Sequence, residues 1–197
     1  MKRLVLCFLA LSIYITSSAQ ISDDFENNNL GWSENVSNSS IAIIKDGHLH
    51  LEGKDKAAIA SCYAPFDINK PFELKCESFI KSLTGKKNFG LIMDYEDDMN
   101  FTLFKIEDDK ASVSRFEEGK TVAHKVQDLK LKSRKKTGLD FKIEYTLQKI
   151  TLFINDMRAI EYQRRMNTGQ YMLGTTGIGF YADKNTVVDF DNLSIIQ

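Results

Sequence analysis

The feature that most constrains this chain is an apolar alternation of period two that breaks once, in its closing stretch. Gly174 to Gln197 reads GTTGIGFYADKNTVVDFDNLSIIQ. Side chains alternate across a strand, so Ile178 and Phe180 share one face of a first strand, Gly177 to Ala182. Val188 and Phe190 share one face of a second, Thr186 to Ile196. Leu193 and Ile195 have the opposite parity, and a bulge near Asp191 and Asn192 would return them to the buried side. The polar turn Asp183, Lys184 and Asn185 between the strands predicts that they pair as an antiparallel hairpin.

The same alternation recurs upstream. Ser40 to Lys45 and Gly47 to Glu52 flank the turn dipeptide Asp46-Gly47. Ala57 to Tyr63 and Phe72 to Lys81 flank a loop marked by Pro65 and Pro71. Phe89 to Tyr95, Asn100 to Glu107 and Ala111 to Phe116 form a meander, followed by a weaker strand at Thr121 to Val126. Leu139, Phe141, Ile143, Tyr145 and Leu147 alternate without interruption, and Ile150 to Ile154 and Met157 to Tyr162 flank Asn155-Asp156. About a dozen short strands at this spacing predict an all-β fold, a two-sheet antiparallel β-sandwich. Val126 to Lys136 is the one helical candidate, and its apolar content is too thin to assign.

Lys2 and Arg3 precede the apolar run Leu4 to Ile15 and the small residues Ser17, Ser18 and Ala19, the layout of a secretory signal peptide over residues 1–19 cut before Gln20. The run is too short for a membrane span, which needs roughly 20 apolar residues. The expected domains are therefore a signal at 1–19 and one domain over 20–197, secreted to the periplasm or the exterior. Loss of Lys2 and Arg3 leaves 24 of the 26 basic side chains against 27 acidic ones, a balance that argues against a nucleic-acid or anionic-membrane partner. The basic run Lys130 to Lys136 then reads as a solvated loop. Cys62 and Cys76 remain in a chain bound for an oxidising compartment. They form a candidate disulfide if they face each other across a hairpin turning near Asn69, and two buried thiols otherwise.

Several segments together resemble the concanavalin A-like lectin/glucanase jelly roll. They are a Phe-Glu-Asn and Gly-Trp opening, Asp-Gly-His-Leu-His-Leu, Asn-Phe-Gly-Leu-Ile-Met, Leu-Phe-Ile-Asn-Asp, and Gly-Ile-Gly-Phe-Tyr-Ala with Val-Asp-Phe-Asp-Asn-Leu-Ser-Ile. Within that fold the chain is most similar to LamG-like and 3-keto-disaccharide-hydrolase-like domains. The resemblance implies a jelly roll of two curved sheets, with any ligand, most often a carbohydrate or glycoconjugate, on the concave face.

If Tyr95 faces Asn100 and Glu107 faces Lys110, Phe89, Leu91, Met93, Phe104, Ile106, Ala111 and Val113 line one face of the meander. Asp94, Phe101, Lys105, Ser112, Ser114 and Phe116 then share the other face with Gly90, Ile92 and Leu103, and Tyr181 has the parity to join them. Rings and oriented polar groups are what a sugar site requires. The competing reading is an ordinary amphipathic outer face.

Catalysis has less support. The Glu-x-Asp-x-Glu triplet of laminarinase-like glucanases is absent, and the arginine of the hydrolase-like relatives is replaced by Asp94. Glu73 and Glu77 bracket Lys75 as a solvated face would. His48 and His50 share a strand face without a third ligand in phase. Carboxylates near the two termini, Asp24, Glu26 and Asp191 with Asp23 and Asp189, are candidates for a structural calcium, with no other cofactor expected. Asn-x-Ser/Thr acceptors stand at Asn35, Asn38 and Asn100. The expected function is a secreted non-catalytic carbohydrate-binding or recognition module. The alternatives are a small glycoside hydrolase or lyase and an envelope module that binds a protein partner.

Overall fold

Alternation of buried and exposed side chains along fifteen strands builds two antiparallel sheets in the computed structural model of the chain. The structure describes residues 20–63, 70–81, 88–129, 138–164 and 177–197. The expected leader at 1–19, the turn expected near Asn69 and the basic run Lys130 to Lys136 lie outside the described residues.

The strands are β1 (Gln20–Asp23), β2 (Asn35–Val36), β3 (Ser40–Lys45), β4 (His48–Gly53), β5 (Ala58–Cys62), β6 (Phe72–Ile80), β7 (Asn88–Asp97) and β8 (Asn100–Glu107). They continue as β9 (Lys110–Glu117), β10 (Lys120–Asp128), β11 (Gly138–Tyr145), β12 (Lys149–Ile154), β13 (Met157–Gln163), β14 (Gly177–Ala182) and β15 (Thr186–Ile196). The larger sheet has the order β13-β12-β11-β6-β15-β4-β3-β2, with β1 joining β15 beyond the end of β4. The smaller sheet has the order β10-β9-β8-β7-β14-β5. There is no helix among the described residues, and the helical candidate beginning at Val126 opens within β10.

One apolar core fills the space between the sheets. Phe89, Leu91, Met93, Phe104 and Ile106 enter it from the smaller sheet, and Leu49, Leu74, Phe141, Leu152 and Phe190 from the larger. Each such side chain contributes roughly 1.5–3 kcal/mol by leaving water. Trp32 pins the amino-terminal loop to this core. Its ring lies 5.1 Å from Phe180 and its indole N–H donates to the buried Asp23 carboxylate at 2.8 Å, so an otherwise costly charge is satisfied.

The closing stretch differs from the hairpin that its sequence predicts. β14 pairs with β5 and β7 in the smaller sheet, and β15 pairs with β1, β4 and β6 in the larger. The turn at Asp183 to Asn185, closed by the Thr186 N–H donating to the Asp183 carbonyl, carries the chain between layers. The expected irregularity in β15 is present. Its register against β6 shifts between Asp191 and Ser194, Asn192 takes φ 52°, and Leu193 and Ile195 return to the core.

A second crossing separates the cysteines. Cys62 ends β5 in one sheet and Cys76 lies in β6 in the other, so no hairpin holds them together, and both are free and buried. The disulfide alternative is therefore replaced by two apolar thiols. Burial, followed by the charge of Asp23, pushes the Cys62 thiol up to about 12.

Candidate ligand-binding face

The side of the smaller sheet that faces away from the core carries a second apolar cluster. Ile92, Phe101 and Leu103 are buried in it, and Ile59, Tyr95, Phe116 and Tyr181 pack against them half-buried. Strand registers set these residues in three rows across the sheet. The first is Ile59, Tyr181, Gly90, Lys105, Ser112 and Val126. The middle row is Ser61, Gly179, Ile92, Leu103, Ser114 and His124. The third holds Gly177 with Tyr95, and Phe101 with Phe116 and Thr121. At about 3.3 Å per residue, the outer rows stand on the order of 13 Å apart.

From Asn88 to Met93 the register is the one the meander predicts, but Asp97 and not Tyr95 faces Asn100. Phe89 faces Ile106 and Phe104 faces Val113, so Phe101, Lys105, Ser112, Ser114 and Phe116 share the outer face. Tyr181 joins them from β14. Gly90 permits the close approach of β7 to β8, since a Cβ there would overlap the Phe104 carbonyl oxygen.

Their exposures divide these residues into floor and rim. Phe101 is only 6% exposed and stacks on Phe116 at 4.8 Å, so it supports a neighbouring ring. Ser112 is also buried. Tyr95, Phe116 and Tyr181 keep part of their rings accessible. Lys105 Nζ lies 3.3 Å from Asp183 and 3.4 Å from Glu107. Ser114 Oγ and His124 Nδ1 share a hydrogen bond at 2.9 Å. Burial and the adjacent Asp183 carboxylate raise the Tyr181 phenol well above its usual value, and burial raises Tyr95, whose hydroxyl donates to Asp98 at 2.9 Å. Both phenols are therefore neutral hydrogen-bonding groups at physiological pH.

Asp94 and Tyr95 exchange the places that strict alternation gives them. The β7–β8 register shifts between Met93 and Asp97, and Asp94 sits at φ 50°. This bulge turns the Asp94 carboxylate off the outer face, where it accepts from the Tyr145 hydroxyl and the Arg164 guanidinium. Tyr95 turns outward into the cluster, beside Tyr63 at 6.2 Å. The polar run Asp94, Glu96, Asp97 around a lone tyrosine is the only sequence trace of this irregularity.

The candidate calcium ligands are spent separately. Asp24 accepts the Glu26 backbone N–H at 3.2 Å, the Glu26 carboxylate lies against Gly47, and Asp191 accepts the Asn192 N–H at 2.7 Å. Among the described residues no three His, Cys, Asp or Glu side chains are grouped to hold a metal. His48 and His50 do share one face of β4, but each looks across at β15. His50 Nδ1 is 2.6 Å from Asp189, and His48 Nε2 is 3.9 Å from Asp191.

Two antiparallel sheets joined in this order form a jelly-roll β-sandwich, and solved structures share that fold. Carbohydrate-binding module CBM66 from Bacillus subtilis superposes with a TM-score of 0.59 at 14% identity, over 85% of this chain and 96% of that one. The β-glucanase of Bacillus licheniformis gives 0.56 at 10% identity, over 90% and 97%. A putative glycosyl hydrolase from Parabacteroides distasonis gives 0.51 at 16% identity, over 83% and 98%. These identities establish the fold alone. No sequence-family model matches the chain, and no curated protein does. Among the described residues no helix is long and apolar enough to cross a membrane.

Proposed function

We propose that the protein is a secreted carbohydrate-binding module that holds its ligand on the outer face of the smaller sheet. The observation that carries this reading is the second apolar cluster, with Tyr95, Phe116 and Tyr181 half-exposed around a floor of Ile92 and Leu103. Sugar rings present C–H faces that stack on such aromatics, while their hydroxyls require fixed donors and acceptors. Lys105, Asp183, Ser114 and His124 supply these at the rim. The fold it shares with a module described as carbohydrate-binding supports the same reading.

The spacing and pairing of carboxylates favour binding over hydrolysis. Glycosidases hold two carboxyl groups about 5–9.5 Å apart across the bond they cleave. Asp98 adjoins Tyr95, which faces Gly177, and Asp183 lies six residues further along the neighbouring strand. These two carboxylates therefore stand on the order of 20 Å apart, and the closer pair, Asp183 and Glu107, is bridged by the Lys105 ammonium, 3.3 and 3.4 Å from them. Asp94 is occupied by Tyr145 and Arg164. Export by the leader at 1–19 completes the proposal, and the exported chain should begin at Gln20.

A glycan array probed with the purified protein, with product analysis of every hit, tests the reading. Binding without turnover is expected. Turnover would replace the module with an enzyme, and a blank array would overturn carbohydrate recognition.

A further inference from the structure

The charges that ring this face select among glycans. The two turns at the third-row end, residues 96–99 and 117–120, carry Glu96, Asp97, Asp98, Glu117 and Glu118 against one lysine. The two turns at the other end, residues 107–110 and 183–185, carry four carboxylates against two lysines. Among the described residues, cations on the sheet offset only part of this balance, Lys105 at one end and Arg115 at the other. Lys105 is held between Asp183 and Glu107, and Arg115 projects from the other side of β9 toward Glu96 and the Asp94 carbonyl. A ligand lying across the floor therefore meets carboxylates at both ends within a Debye length of about 8 Å at physiological salt.

We infer that the face takes a neutral glycan and rejects polyanionic ones, a specificity that rests on the carbohydrate-binding reading above. Carboxylates accept hydrogen bonds from paired sugar hydroxyls, and beside Tyr95 and Tyr181 they do so next to an apolar ring. A uronate or sulfate ester in the same place brings like charges together, and Lys105 and Arg115, each already shared between two carboxylates, do not neutralise it fully.

Titration calorimetry of the full chain against neutral polymers (β-glucan, xylan and mannan) and against polygalacturonate and heparin, at low and high salt, tests this. At least one neutral polymer is expected to bind with an affinity that changes less than about twofold with salt, and the polyanions at least about tenfold more weakly. A Phe116→Ala, Tyr181→Ala double variant is expected to lose the neutral ligand while keeping a cooperative melting transition at a lowered midpoint. Polyanion binding as tight as neutral binding overturns the selectivity and leaves the carbohydrate reading standing. Binding of no polymer overturns both, and undiminished binding by the double variant overturns the assignment to this face.

Discussion

Tyr145 on the larger sheet donates its hydroxyl to Asp94 on the smaller sheet at 3.1 Å, and the same carboxylate oxygen takes Arg164 at 3.2 Å. The Arg164 guanidinium also lies over the Tyr145 ring, 4.7 Å from its centroid. The two layers are thus joined at one end by a charged group that is largely withdrawn from water.

Replacing Asp94 with leucine strands the Tyr145 hydroxyl and the Arg164 charge, at an expected cost of about 3 kcal/mol. Asparagine tolerates the positive φ and keeps an acceptor, so Asp94→Asn should lose less. Urea midpoints of the two variants check the order, and equal losses would show that the carboxylate charge is what matters there.

The rings of the outer face separate into two roles. Phe116→Ala and Tyr181→Ala should each weaken glycan binding by about tenfold or more, as removal of a stacking anchor does, and leave stability near that of the parent. Phe101→Ala removes a buried ring and should cost about 3–5 kcal/mol of stability. Calorimetric affinity and thermal melting measured on the same three variants decide the assignment.

Burial alone would raise the Asp189 carboxyl, but the hydrogen bond and charge of His50, with the charge of Lys81, hold it below its usual range. A carboxyl depressed in this way stabilises the fold above about pH 4, and the contribution disappears as pH falls through its folded value. The protein should therefore lose more stability between pH 5 and pH 2 than the His50→Gln variant does. Equal slopes in the two unfolding series would remove Asp189 from the account.

Both described cysteines are buried and free, with Cys62 pushed up to about 12 by burial and by Asp23. Neither should react with iodoacetamide at pH 8 in the native protein, and both should do so in guanidinium. Mass spectrometry reads the difference, and alkylation of the folded chain would show that β5 or β6 opens.

Strand positions and the meander register are legible in the sequence because a buried face imposes period two on the residues that build it. Layer membership is not, since alternation says which side of a strand is apolar and nothing about which strand lies beside it. Gly177 to Ala182 and Thr186 to Ile196 carry every mark of a hairpin and lie in different sheets. The two bulges differ for a related reason. Leu193 and Ile195 follow the one at Asn192 and reveal it by their changed parity, whereas the residues after Asp94 are too polar to report a phase. Alternation alone therefore puts Phe101 at the surface of the candidate face and leaves Tyr95 out of it.

The crossing at Asp183 to Asn185 also bears on how the chain reaches this state. β14 lies inside the smaller sheet, between β7 and β5, and β15 inside the larger, between β6 and β4. Neither layer can be completed until residues 177–196 have left the ribosome, and the contacts that complete them are distant in sequence, which makes folding slow. Until those residues emerge, a nascent chain of this topology has no finished core and keeps its apolar strand faces exposed.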